Sequence, residues 1–115
     1  ASTYEHVLAD LPLHTQHCPP DCSSARHLFV IRLDTKALQK SRDRIFGALR
    51  DHGIGVNIHY IPVHTQPWYE QTGFKQGDFP EAEHYYREAI SLPMFPDLKN
   101  REITFVADTL GEVIR

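Results

Sequence analysis

Apolar residues recur every three or four positions in four parts of the chain, and this spacing predicts four helices. The helices are expected in residues 4–11, between Ser41 and Gly53, from Pro80 onward, and from Asn100 to Ile114. Ser41 and Asn100 can cap the helices that follow them, because their side-chain oxygens accept hydrogen bonds from free backbone amides. Gly53 ends the second helix, since glycine adopts the left-handed conformation without steric penalty.

Three other stretches have the pattern of strands. Residues 27–33 and 89–92 are short apolar runs, and residues 54–59 alternate strictly between apolar and polar side chains. Residues 12–25 are rich in proline, histidine, serine and cysteine and lack periodicity, which is typical of a surface loop. This mixture of elements predicts an α/β (α+β) two-layer sandwich, with a small three-stranded sheet and helices packed on one face.

The third predicted helix carries an apolar stripe and an acidic start. Ala82, Tyr85, Tyr86 and Ala89 share one face of this helix. Glu81 and Glu83 lie two positions apart, so they do not face each other and cannot form a paired-carboxylate site. We interpret both as first-turn residues that interact with the positive end of the helix dipole.

Length and composition place the chain among ordinary globular proteins. It has 115 residues, 41% of them hydrophobic and 23% charged, which suits a single domain. The net charge of −3 and the absence of charged blocks argue against binding to nucleic acid or to an anionic membrane. No apolar run approaches the roughly 20 residues that span a bilayer. We expect a cytoplasmic protein.

Cys18 and Cys22 are the two cysteines, separated by Pro19, Pro20 and Asp21. This spacing differs from the two-residue redox motif, and a disulfide would close a very small loop. Histidines 14, 17 and 27 lie nearby, so a zinc-stabilised interaction domain is one alternative. The interpretation we favour is a pair of free thiols in a proline-rich loop, with no metal.

The polar residues at the end of the alternating stretch are the main candidates for chemistry. Asn57 and His59 lie on one face of the predicted strand, and Tyr60 and His64 follow just beyond it. Side chains that converge where a sheet gives way to a loop are common binding residues. Such groups can bind sugar hydroxyls or a phosphate, although a single histidine here is more often purely structural.

Catalytic groups are otherwise scarce. The chain has no glycine-rich phosphate loop and no nucleophile elbow. Each of its lysines lies among polar residues, and none has the desolvated setting of a Schiff-base lysine. Four aromatic residues, Trp68, Tyr69, Phe74 and Phe79, either form a platform for a sugar or uracil ring or fill the small core of an irregular loop.

Five short signatures occur in order and at consistent spacing in residues 27–33, 41–43, 53–64, 77–83 and 91–96. Together they resemble the C-terminal part of the DegT/DnrJ/EryC1/StrS aminotransferases, and the resemblance covers nearly the whole chain. Within that family, the chain most resembles the pseudaminic-acid branch of UDP-4-amino-4,6-dideoxy-N-acetyl-β-L-altrosamine transaminases. Residues 1–115 would then be the C-terminal small domain of a fold-type I enzyme that depends on pyridoxal phosphate.

The resemblance implies a reaction in which glutamate supplies an amino group to a UDP-linked 4-keto sugar. Such enzymes are homodimers, and the small domain lines the substrate site. We place substrate contact at His59, Tyr60, Ile61 and Pro62, with Asn57 and His64 flanking them.

The large domain that carries the Schiff-base lysine has no counterpart in these residues. We therefore expect that this chain alone contains no catalytic residue, binds no pyridoxal phosphate and does not transaminate. A different alternative is a free-standing α/β module that binds a small anionic ligand through the loop from His59 to His64.

Overall fold

The computed structural model describes all 115 residues and contains six α-helices, one 3₁₀ helix and three strands. The helices are α1 (Ser2–Val7), α2 (Thr35–Leu38), α3 (Arg42–Asp51), α4 (Pro67–Gln71), α5 (Pro80–Glu88) and α6 (Asn100–Ile114). The strands are β1 (Leu13–Thr15), β2 (Phe29–Leu33) and β3 (Ala89–Leu92), and the 3₁₀ helix spans Val63–Thr65. No helix combines the length and the apolar character needed to cross a bilayer.

The strands form one antiparallel sheet in the order β1-β2-β3. Alternate residues of the central strand, Phe29, Ile31 and Leu33, are buried, whereas Val30 and Arg32 between them are half-buried. One face of β2 therefore lies against the core and the other is more open. The predicted two-layer architecture with a small three-stranded sheet is confirmed.

The second layer consists of α1, α3 and α6. Helix α6 packs against α1 and α3, and α3 packs against β3. Sixteen buried residues join the layers: Tyr4, Leu8, Phe29, Ile31, Leu33, Ile45, Leu49, Ile54, Val56, Ile90, Leu92, Ile103, Val106, Ala107, Leu110 and Ile114. The last five of these lie on α6 at the helical spacing expected from the sequence.

The helix ends largely follow the sequence signals. Ser41 Oγ accepts a hydrogen bond from the Arg44 amide at 3.3 Å, as expected of a cap. Gly53 has a φ of 78°, the left-handed conformation that ends α3. Helix α6 begins one residue earlier than predicted, so Lys99 occupies the cap position, and the Glu102 carboxylate accepts its amide at 2.7 Å.

The predicted strand at residues 54–59 is wrong. Only Asn57 pairs with the sheet, through two backbone hydrogen bonds to Ser91 of 3.1 and 2.8 Å. In an antiparallel register, the next pairs would use the amides of Pro93 and Ala89. Proline has no N–H, and the Ala89 N–H already donates to the Tyr85 carbonyl at the end of α5. The ladder therefore stops after one pair.

The third strand is instead β1, which lies inside the predicted loop of residues 12–25. It pairs with β2, with Leu13 opposite Leu33 and Thr15 opposite Ile31. Leu13 is the only apolar residue among its three, so the segment has no pattern of its own. Helix α2 was also not predicted; the Asp34 side chain caps it by accepting from the Ala37 amide at 3.0 Å.

The prediction for α5 was partly wrong. Its tyrosines are half-buried and Ala82 is exposed, whereas the buried residues of the helix are Glu83 and Glu88. Glu88 is paired with Arg32 of β2 at 2.8 Å and with His84 at 2.8 Å. A buried carboxylate requires such partners, because the cost of removing it from water is otherwise large. These contacts tie the end of α5 to the sheet.

Replacing Tyr4 with phenylalanine is expected to lower the free energy of unfolding by about 1–2 kcal/mol. The Tyr4 hydroxyl is fully buried and donates to the Pro93 carbonyl at 3.0 Å, so the variant leaves that carbonyl without this donor. Burial also raises the pKa of Tyr4 from 10.0 to about 12. The neutral phenol is thus favoured in the folded state, and its contribution to stability is lost as pH rises from about 10 to about 12.

Urea denaturation of wild type and Tyr4→Phe, at neutral pH and across this alkaline range, measures both effects. The stability difference should shrink as pH rises. Equal stability of the two proteins at neutral pH would contradict the role given to this hydrogen bond.

Candidate functional site

The candidate segment, residues 57–64, connects the helical layer to the 3₁₀ helix. Ile54 and Val56 anchor its approach in the core, with 4% and 3% of their surfaces exposed. Asn57 follows, with its backbone paired to Ser91 and its side-chain oxygen accepting from the Ile58 amide at 2.8 Å. The Asn57 amide group stays on the surface, at the edge of the sheet.

His59 is half-buried and is held by β3. Its Nδ1 lies 2.8 Å from the hydroxyl oxygen of Ser91, and Ser91 is only 4% exposed. The peptide bond between His59 and Tyr60 is cis. Because Nδ1 is engaged with the serine, Nε2 is the ring nitrogen left to meet a ligand.

Tyr60 and Ile61 are two adjacent exposed residues of the segment. Their exposed fractions are 64% and 42%. Pro62 is buried directly after them, and its carbonyl accepts both the amide and the hydroxyl of Thr65, at 3.0 and 2.8 Å. Beyond Pro62, Val63 is again exposed, whereas His64 is buried.

His64 lies inside the fold, 6% exposed. Its Nε2 is 2.9 Å from Glu83 Oε1, and its ring lies against Phe79 with a centroid distance of 4.9 Å. The same carboxylate oxygen accepts the Gly77 amide at 2.6 Å. His64 thus differs from the exposed Tyr60 and Ile61, since it is buried against Glu83 and Phe79 and lines the neighbouring apolar groove.

The hydrogen bond from the Gly77 amide, followed by that from His64, holds the pKa of Glu83 below its ordinary value of 4.5. The ionised form is favoured by folding. Its contribution to stability is therefore complete above about pH 4.5 and is lost as pH falls further, through the lowered pKa. Sequence reasoning did not find this role for Glu83, because its partners are 6 and 19 residues away.

Glu83→Gln is expected to flatten the acid side of the stability profile. The glutamine cannot lose a charge, so its stability should fall less than that of wild type between about pH 5 and about pH 3. Urea denaturation over this range measures the difference. Glu81→Gln is the control, since Glu81 is exposed on the same helix. Parallel profiles for wild type and Glu83→Gln would contradict the assignment.

An apolar groove of about 360 Å³ adjoins the segment. Its lining residues are Val63, His64, Tyr69, Phe74, Phe79 and Ala82. The rings of Phe74 and Phe79 lie 6.0 Å apart and remain 42% and 48% exposed, so they pack on each other without closing the groove. Trp68, 70% exposed, lies outside it. The volume is in the range of small-ligand sites.

The lysines do not fit the cofactor. Lys36, Lys75 and Lys99 are exposed, and Lys40 donates to the Val113 carbonyl at 2.8 Å. A Schiff-base lysine needs a pKa lowered by burial or by neighbouring cations, and none of the four has such a setting. No lysine of this chain is therefore placed to hold pyridoxal phosphate covalently.

The cysteine loop forms no metal centre in this structure. Cys18 and Cys22 are free thiols, and Cys18 Sγ donates to the Cys22 carbonyl oxygen at 3.4 Å. No three histidine, cysteine, aspartate or glutamate side chains are grouped so that they could hold an ion. The zinc-stabilised alternative therefore gains no support from the arrangement of these side chains.

The chain is similar to several known proteins over its full length. It is 33% identical to the spore coat polysaccharide biosynthesis protein SpsC of Bacillus subtilis, over all of this chain and 30% of SpsC. The Spr1654 structure from Streptococcus pneumoniae, in its PMP form, matches with a TM-score of 0.89 and 27% identity over 98% of this chain and 28% of that protein.

Helicobacter pylori PseC, an aminotransferase involved in the biosynthesis of pseudoaminic acid, matches with a TM-score of 0.85 and 25% identity. The match covers 98% of this chain and 30% of PseC, so the chain spans less than a third of the length of these relatives. The model of the DegT/DnrJ/EryC1/StrS aminotransferase family matches residues 1–111. The chain belongs to the DegT/DnrJ/EryC1/StrS aminotransferase family.

Proposed function

We propose that this chain is the substrate-side small domain of a pyridoxal phosphate-dependent aminotransferase. The enzyme would move an amino group from glutamate to a UDP-linked 4-keto sugar, as in the pseudaminic-acid branch. The observation that carries the proposal is the family match over residues 1–111. The structural match to Spr1654 over 98% of the chain supports it. The similarity to PseC, an aminotransferase of pseudoaminic acid biosynthesis, supports the sugar class.

Within this chain, we assign substrate contact to Asn57, His59, Tyr60, Ile61, Pro62 and His64. Asn57, His59 Nε2 and the Tyr60 hydroxyl are polar groups at the surface that suit hydroxyl or phosphate oxygens. Ile61 offers an exposed apolar side chain. Pro62 and His64 are buried; His64 would act from the wall of the apolar groove, with Nδ1 as the ring nitrogen that Glu83 leaves free.

The cofactor would be held by the large domain, because no lysine in this chain suits it. When bound, pyridoxal phosphate supplies the electron sink for amino transfer. The part of this chain is to bind and orient the sugar and to limit water around it. A homodimer and a cytoplasmic location remain predictions of the family resemblance.

The test compares the 115-residue chain with the longer protein that carries it. Only the longer protein should bind pyridoxal phosphate with visible absorption and transfer nitrogen from glutamate to a UDP-linked 4-keto sugar. Aspartate serves as the donor control. A stoichiometric cofactor band in the short chain, or the absence of sugar amination in the longer protein, would refute the proposal.

A further inference from the structure

Two exposed residues of the substrate segment lie between two side-chain contacts, one partly buried and one buried. Before these two residues, His59 is hydrogen-bonded to Ser91 of β3. After them, His64 is hydrogen-bonded to Glu83 of α5. Tyr60 and Ile61 lie between these contacts and are exposed. Neither Ser91 nor Glu83 belongs to the segment that we assign to substrate contact.

Ser91 is a polar residue in an otherwise apolar strand. Its neighbours Ile90 and Leu92 belong to the core, and Ser91 itself is buried, with 4% of its surface exposed. Burying a hydroxyl is unfavourable unless it is hydrogen-bonded. Its side-chain partner is His59 Nδ1 at 2.8 Å, and its backbone bonds to Asn57. Ser91 thus joins the start of the segment to the sheet twice.

Glu83 joins the end of the segment to a turn and a helix. One of its oxygens meets His64 Nε2 at 2.9 Å and the Gly77 amide at 2.6 Å. Gly77 has a φ of 98°, which favours glycine at this turn. Arg87, one turn along α5, lies 3.9 Å from the other oxygen. Both oxygens of Glu83 thus lie near positive or donor groups, and Oε1 holds His64 in place.

We propose that Ser91 and Glu83 are positioning residues that hold Tyr60 and Ile61 in their binding conformation before any ligand arrives. The inference rests on the proposed function of the segment. An exposed segment that is already ordered loses less conformational entropy on binding, so affinity is higher. If removal of a contact left the binding conformation about 10% populated, the apparent affinity would fall about tenfold.

The test uses Ser91→Ala and Glu83→Ala, with Ser91→Thr and Glu83→Gln as conservative variants that retain an acceptor or donor. Thr109→Ala is the matched control, because Thr109 is also 4% exposed but lies on α6. The first readout is the ¹⁵N heteronuclear NOE of Tyr60 and Ile61 in the 115-residue chain. The second is KM and kcat for a UDP-linked 4-keto sugar in the longer aminotransferase.

We expect the alanine variants to lower the NOE of Tyr60 and Ile61, and to raise KM about tenfold with kcat little changed. The conservative variants should keep the NOE and KM close to their wild-type values, and Thr109→Ala should alter neither quantity. An unchanged NOE in both alanine variants would overturn the inference. A lowered NOE with KM unaffected even by Tyr60→Ala would instead refute the substrate role of the segment while leaving the two anchors established.

Discussion

Replacing Ile31 with alanine is expected to lower the free energy of unfolding by about 2–5 kcal/mol. Ile31 lies at the centre of β2, fully buried, and faces the helical layer with Phe29 and Leu33. The variant loses apolar contacts and leaves a cavity that the surrounding strands and helices fill only in part. Since domains of this size are stable by about 5–15 kcal/mol, the loss is a large fraction of the total. Urea denaturation at neutral pH measures it.

Val30→Ala is the control for this prediction. Val30 is the adjacent residue on the same strand, but it is half-buried and points to the opposite face of the sheet. Its loss should therefore cost clearly less. A larger effect for Val30→Ala than for Ile31→Ala would mean that the main core lies on the other face, contrary to the structure.

On the proposed function, replacing Tyr60 with alanine is expected to weaken binding of a UDP-linked sugar about tenfold or more, with little change in stability. Tyr60 is 64% exposed, so its ring contributes little to the core, while its hydroxyl and aromatic face are available to a ligand. In the longer aminotransferase, the effect should be a raised KM for the UDP-linked 4-keto sugar. Visible absorption of the bound cofactor should not change, because none of this chain's lysines holds it.

Phe105→Ala provides the matched comparison. Phe105 is an aromatic residue of α6 with 54% of its surface exposed, and it is outside the candidate segment and the adjoining groove. Its removal should leave KM unchanged. Equal KM values for Tyr60→Ala and wild type would exclude Tyr60 from substrate contact.

The fold was predictable where local chemistry and tertiary packing agree. Ser41 caps α3 and Gly53 ends it, and the apolar spacing of α6 matches its buried residues. The prediction failed at residues 54–59, where apolar and polar side chains alternate but only Asn57 pairs with the sheet. Two features decided this: Pro93 lacks an amide hydrogen, and α5 uses that of Ala89. Only the register between distant segments reveals such a conflict.

The candidate site was likewise predictable in part from local sequence, while its tertiary contacts were not. Its position in the chain was evident from the cluster of histidine, tyrosine and asparagine, but its internal arrangement was not. Glu83 had the pattern of a solvated first-turn acid, yet it is buried against His64. Ser91 gave one weak signal, a hydroxyl inside the apolar run 89–92. Contacts across 19 and 32 residues cannot be inferred from spacing.

The most direct test of the proposed substrate contact is hydrogen–deuterium exchange on the longer aminotransferase, with and without a UDP-linked sugar. We predict that the ligand slows amide exchange in residues 57–64, while the amides of α6 exchange as before. Slowed exchange elsewhere in the protein, with residues 57–64 unaffected, would contradict the claim that this segment contacts the substrate.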